Sequence, residues 1–155
     1  MKELNQMELR FGAYSQNEGF ARTCAAAFCL QLNPTIDEIT DIKTAVSEAV
    51  TNCVVHAYPN GKGEISLKIV LEDKKAIITV SDNGVGIADL ERAREPFFTT
   101  VSTGERSGMG FTVMESFMDE VKLIRNKSTG VSVIMTKNIG EITLAPKQQT
   151  AGVNG

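Results

Sequence analysis

The sequence predicts a single α/β domain, and three patterns predict it. Several stretches alternate apolar and polar residues as strands do, two helical stretches each open on a hydroxyl followed three residues later by Glu, and the chain closes on two more alternating stretches around a polar turn. Taken in order, Met7, Leu9, Phe11 and Ala13 alternate with Glu8, Arg10 and Gly12, which reads as a first strand. Ser15 and Glu18 have capping-box spacing and open a helix that carries Phe20, Cys24, Ala27 and Phe28 at helical intervals and stops near Asn33-Pro34. Thr35 and Glu38 repeat the device. They start a longer helix whose apolar residues Ile39, Ile42, Val46, Ala49, Val50, Cys53 and Val54 keep helical rhythm until Tyr58-Pro59-Asn60-Gly61.

Ile65, Leu67, Ile69 and Leu71 then alternate, a polar turn follows at Glu72-Asp73-Lys74-Lys75, and Ile77, Ile78 and Val80 lead to Asp82, so a hairpin feeds a glycine turn. A short helix is expected around Asp89 to Arg94. From Glu95 to Gly110 the chain is rich in Thr, Ser and Gly without a period, which reads as a mobile lid. Phe111 to Met118 resumes helical spacing, and strands at Val121 to Ile124 and Val131 to Met135 flank Asn126-Lys127-Ser128-Thr129-Gly130. Residues 1–139 therefore read as one domain and 140–155 as an unpacked, flexible tail.

The 155 residues, 42% of them hydrophobic, suffice for a core without staples. A net charge of -3 and the lack of any Lys/Arg run argue against nucleic acid as a direct partner. Cys24, Cys29 and Cys53 are odd in number and lack zinc-site spacing, so they read as reduced structural thiols of a cytoplasmic protein. Met1 to Gln6 has no apolar signal core, and no stretch approaches the ~18 apolar residues of a membrane span. A soluble, cytoplasmic protein without membrane contact is expected.

The chemistry lies in two short segments. Glu48, Asn52 and His56 recur every four residues, which on a helix makes one polar stripe. Asp82-Asn83-Gly84-Val85-Gly86-Ile87 is a strand ending in a carboxylate and a glycine turn. ATP needs its phosphate charge neutralised by Mg²⁺ held through a few hard oxygens, and Asn52 supplies one without adding a carboxylate that repels phosphate. Glu48, one turn earlier, reaches a hydroxyl near the γ-phosphate and is the candidate base. Asp82 can accept from the exocyclic amine of adenine, while Gly84 and Gly86 let the backbone approach a flat base. Gly108-Met109-Gly110 opens a helix whose free N–H groups can face phosphates, and Arg106 can stabilise charge on the transferring phosphoryl group.

Each segment alone has a duller reading. An Asp-Asn-Gly turn is more often a plain turn, a polar helical stripe is more often a solvated face, and a Gly-x-Gly before a helix seldom binds phosphate. His56, the only histidine, is as well explained by packing as by catalysis. Their order and joint spacing favour a nucleotide site. No Walker loop ending in Lys-Ser or Lys-Thr is present, nor a dinucleotide fingerprint.

The stripe, the Asp82 to Ile87 turn and the segment from Gly104 to Gly110 resemble the N, G1 and G2 boxes of the ATPase superfamily of gyrase, Hsp90, histidine kinases and MutL. Ser47 to Asn52, Glu95-Pro96-Phe97-Phe98-Thr99-Thr100 and Glu105 to Glu115 resemble, more narrowly, the anti-sigma-F factors of spore-forming bacteria, and the likeness runs from about Met7 to Lys137. The resemblance implies a two-layer, Bergerat-type sandwich with helices on one face of a mixed sheet. It also implies a homodimeric, ATP- and Mg²⁺-dependent serine kinase that holds sigma factor F and phosphorylates its own antagonist, the anti-anti-sigma factor. Carried over by motif, it assigns Glu48 as base, Asn52 as Mg²⁺ ligand, Asp82 as adenine contact and Gly84 and Gly86 as the base-binding turn. Thr99, Thr100, Gly104, Arg106, Ser107, Gly108, Met109 and Gly110 become the lid and phosphate grip, and Arg22 a partner contact.

Two positions depart from that pattern. The superfamily's Gly-Thr pair at the last strand is here Gly130-Val131, with hydroxyls at Thr129 and Ser132, and Val101 stands where the family often has Lys after the lid threonines. Two other functions compete with the kinase: a histidine-kinase-type ATPase domain, and a nucleotide-gated binding module without chemistry.

Overall fold

The computed structural model describes residues 3–58, 62–84, 110–125 and 130–140, with residues 3, 4, 56, 57 and 110 described by their backbone. The chain runs through β1 (Glu3–Gly12), α1 (Asn17–Cys29), a 3-10 turn (Leu30–Leu32), α2 (Ile36–Asn52) and a π-helical turn (Cys53–Ala57). The hairpin β2 (Glu64–Glu72) and β3 (Lys75–Asp82) follows, then α3 (Gly110–Phe117), β4 (Glu120–Arg125) and β5 (Val131–Asn138). The expected helix over 89–94, the lid over 95–109 and the tail beyond 140 lie outside the described residues.

The strands form one five-stranded sheet in the order β1-β2-β3-β5-β4. The expected mixed sheet is corrected here, because every neighbouring pair of described strands is antiparallel. A parallel pair needs a crossover, usually through one helix, whereas two helices separate β1 from β2 and return the chain to the end of the sheet it left. Strand direction is therefore set by connectivity, which alternation of side chains does not report.

Helices cover one face of this sheet. Ile65, Leu67, Ile69 and Leu71 of β2 and Ala76, Ile78 and Val80 of β3 point into the core, joined by Val133 and Met135 of β5. From the helical layer come Ile42, Ala45, Val46, Ala49 and Val50 of α2 and Met114 of α3. Each large aliphatic side chain so enclosed contributes roughly 1.5–3 kcal/mol from removal of apolar surface from water. No helix among the described residues is long and apolar enough to cross a membrane.

The caps of the two long helices differ. Thr35 accepts from the Glu38 N–H at 3.1 Å and the Glu38 carboxylate accepts from the Thr35 N–H at 2.8 Å, so the expected capping box is formed. The corresponding box at Ser15 is not. Glu18 turns instead to Arg22 at 2.9 Å and to Ser47 of α2 at 2.5 Å, so its carboxylate takes two side-chain donors where the box would give it one backbone N–H. The buried face of α1 is not the run of Phe20, Cys24, Ala27 and Phe28 at helical intervals. Ala21, Ala25 and Cys29 face α2, while Phe20 is 51% exposed. Small side chains on that stripe let the two helix backbones come close, and Phe28 packs at the edge of the core.

Candidate functional site

Alternation along β3 decides where Asp82 goes. Ala76, Ile78, Val80 and Asp82 share one face, so the last side chain of the strand enters the helix-covered layer and is only 6% exposed. It is the one buried charged or polar side chain among the described residues. Oδ1 accepts the Gly84 N–H at 2.9 Å and the Val131 N–H at 3.3 Å, and Oδ2 accepts the Cys53 thiol at 3.5 Å. Burial pushes the Asp82 carboxyl above its ordinary value, and these three donors pull the other way. The Gly84 bond closes the turn after β3 onto the side chain that precedes it.

The thiol contact joins the two halves of the expected site. Cys53 follows Asn52 directly, so its bond to Asp82 brings the end of α2 against the end of β3. Burial, with Asp82 beside it, holds the Cys53 thiol well above its ordinary value, and burial pushes Cys29 up to about 12. Both thiols are buried, and Cys53 has the additional task of donating to Asp82. Glu48 and Asn52 lie one turn apart on α2 and are half-buried.

Regular α-helix ends at Asn52. In the π-helical turn the Tyr58 N–H reaches the Cys53 carbonyl at 3.3 Å, and this wider turn interrupts the four-residue interval that relates Glu48 to Asn52 before it reaches His56. The side chain of His56 lies outside the described residues.

On the outer side of the helical layer, Arg22 of α1 and Thr40, Lys43, Thr44, Ser47 and Glu48 of α2 line a groove of about 250 Å³. The expected base and the expected partner-contacting arginine thus face one groove. The described part of α3 begins at Gly110, the last residue of the expected Gly-x-Gly. Gly86, Thr99, Thr100, Gly104, Arg106, Ser107, Gly108 and Met109, and the departures at Val101 and Thr129, lie outside the described residues.

At the Gly130-Val131 departure the contact to Asp82 comes from the backbone and not from a side-chain hydroxyl. The Val131 backbone N–H itself donates to Asp82, while Ser132 faces the opposite side of the sheet and pairs with Ser81 at 2.8 Å. Gly130 adopts φ +90°, and a Cβ there would lie 2.1 Å from the Asp82 carbonyl oxygen and 2.7 Å from the Asn83 Cα. Sequence reasoning missed the roles of Cys53, Tyr58 and Gly130. The one local signal for Gly130 was a glycine immediately before the last strand.

Among the described residues no group of three or more His, Cys, Asp or Glu could cage a metal ion. The expected Mg²⁺ donor, the neutral amide of Asn52, is half-buried on the last turn of α2, and an amide oxygen is a chemistry that would suit a cation completed by phosphates and water.

The buried Asp82 carboxylate at a sheet end thus lies beside the end of a helix that carries Glu48 and Asn52 one turn apart, on an antiparallel sheet covered by helices on one face. Residues 15–137 match the family model of the histidine kinase-like ATPase domain. In fold the chain is similar to the RsbU and RsbW domains of a Mycobacterium tuberculosis protein, with TM-score 0.63 and 19% identity over 88% of this chain and 33% of that one. It is also similar to the catalytic domain of the histidine kinase ThkA, with TM-score 0.55 and 17% identity over 88% of this chain and 97% of that one. Closer in sequence are the anti-sigma F factors of Caldanaerobacter subterraneus subsp. tengcongensis, 56% identical over 90% of this chain and 98% of the relative, and of Bacillus licheniformis, 51% identical over 88% and 94%. The chain belongs to the anti-sigma F factor family, built on the histidine kinase-like ATPase domain.

Proposed function

We propose that this protein is a cytoplasmic, homodimeric, ATP- and Mg²⁺-dependent sporulation regulator that captures sigma factor F and phosphorylates its anti-anti-sigma antagonist on serine, all within one domain spanning residues 1–139. The observation that carries the reading is the Cys53–Asp82 contact, which sets the buried Asp82 carboxylate beside the helix bearing Glu48 and Asn52. The family of the chain supports the same reading.

ATP supplies the γ-phosphoryl group, and Mg²⁺ offsets the phosphate charge. Asp82 accepts the exocyclic amine of adenine, and Gly84, with Gly86, lets the base lie against the backbone. Asn52 offers its amide oxygen to the metal. Glu48 takes the proton of the attacking serine hydroxyl as the serine O–P bond forms, the bridging P–O bond to the β-phosphate breaks and ADP leaves. Arg106 is assigned to the charge on the transferring group, and Thr99, Thr100, Gly104, Ser107, Gly108, Met109 and Gly110 to the lid and phosphate grip. Arg22, in the groove shared with Glu48, is assigned to the protein partners.

Capture tests the anti-sigma half of this reading. Purified sigma factor F should be retained by the immobilised protein with ATP and Mg²⁺, far less with ADP, and poorly by Arg22→Ala. Equal retention with and without nucleotide would refute it.

A further inference from the structure

We propose that Tyr58 is a positioning residue for adenine recognition, its hydroxyl holding the backbone of the Asp82–Gly84 turn in the arrangement that receives the base. The inference rests on the assignment of Asp82 as the adenine contact.

The Tyr58 hydroxyl accepts the Asn83 N–H at 2.7 Å and donates to the Glu64 carbonyl at 2.7 Å. One side chain therefore links the segment after α2, the first residue of β2 and the residue after Asp82. Asn83 stands between the two groups assigned to the base, and the Gly84 N–H that reaches Asp82 is the next donor along the chain. Fixing the Asn83 N–H fixes the start of that turn.

The ring is seated as well as the hydroxyl. A Cβ on Gly63 would lie 2.2 Å from Tyr58 Cε1, so the ring lies directly over a position that only glycine leaves open. The π-helical turn delivers Tyr58 to this seat, because its N–H closes on the Cys53 carbonyl, the residue whose thiol touches Asp82. Burial keeps the phenol above its ordinary value, so at neutral pH the hydroxyl has the proton it donates to Glu64. Thus the end of α2 grips the base-binding turn twice, by its thiol on the carboxylate and by its phenol on the backbone.

A residue that only stabilised the fold would weaken all nucleotides alike. A residue that positions the Asp82 turn acts on adenine, which presents an amine donor where guanine presents a carbonyl acceptor. The test is calorimetric titration of the full chain with Mg·ATP and Mg·GTP for the wild type, Tyr58→Phe, Gly63→Ala and Asp82→Asn. Tyr58→Phe keeps the ring and removes the hydroxyl, and Gly63→Ala keeps the hydroxyl and unseats the ring. Each should weaken ATP about tenfold while leaving GTP within about twofold, the size expected for one well-made hydrogen bond. Tyr58→Phe with wild-type affinity and preference, or with equal losses for ATP and GTP, would overturn the inference while the loss of preference in Asp82→Asn upheld the site. A wild type without preference for ATP, or an Asp82→Asn variant that kept it, would overturn the site assignment and the inference with it.

Discussion

The Ser47 hydroxyl donates to the Glu18 carboxylate at 2.5 Å and so ties α1 to the turn of α2 that carries Glu48. The same carboxylate oxygen holds Arg22 at 2.9 Å, so the helix assigned to partners and the helix assigned to chemistry share one acceptor. Ser47→Ala should lower the unfolding free energy by about 1–2 kcal/mol, as loss of a bond to a charged group does. Urea unfolding measures that loss. Since Ser47 does not touch the Asp82 turn, ATP affinity should stay unchanged in the variant.

Gly130 has a harder constraint. Its φ of +90° and the approach of the Asp82 carbonyl leave no room for a methyl group, and the atoms it would meet are backbone. Gly130→Ala should cost at least ~3 kcal/mol of stability from strain and overpacking together. ATP affinity should fall as well, because the end of β3 must shift to admit the new group. Unfolding and nucleotide titration of the same preparation check both effects.

These two positions show what was legible in the sequence and what was not. The Thr35–Glu38 box and the Glu48-to-Asn52 interval are local patterns, read within one or two helical turns, and both are present, while the π-helical turn breaks the interval that would carry the stripe on to His56. Ser15 and Glu18 have the same spacing, yet Glu18 is taken by Arg22, its i,i+4 neighbour on α1, and by Ser47 of α2, a competitor from another helix that no local rule foresees. The buried face of α1 was not legible for a related reason: Ala and Phe both count as apolar, and closeness to α2 selects the smaller. Cys53, Asn83 and Val131 gain their roles from contacts with residues 29, 25 and 49 positions away, separations that periodicity does not span.

The raised Asp82 carboxyl gives the protein a pH dependence of known sign. A buried acid whose folded value lies above its unfolded one favours the fold while protonated. That contribution is complete below the ordinary aspartate value and is lost as pH rises through the raised value. Stability of the wild type should fall across that window, and Asp82→Asn, neutral throughout, should lack this component. With Asp82 as the proposed adenine acceptor, ATP binding should run oppositely, weakening as pH drops through the same raised value. Because the Cys53 bond pulls the Asp82 value down, Cys53→Ala should move both transitions to higher pH. Unfolding and ATP titration over a pH series, with the three proteins in parallel, read these shifts.

At the other end of α2 the expectation is small and clean. Thr35→Ala removes one side of a capping box far from Asp82 and should cost ~1 kcal/mol of stability. Nucleotide affinity should not change, and urea unfolding with ATP titration decides both.

The most direct measurement follows labelled γ-phosphate from ATP onto the anti-anti-sigma protein, with wild type and Glu48→Gln in parallel and an acid-stability test of the product. The account predicts acid-stable label that disappears in Glu48→Gln although the variant still binds ATP. No label with the wild type, acid-labile label, or undiminished transfer by Glu48→Gln would contradict it.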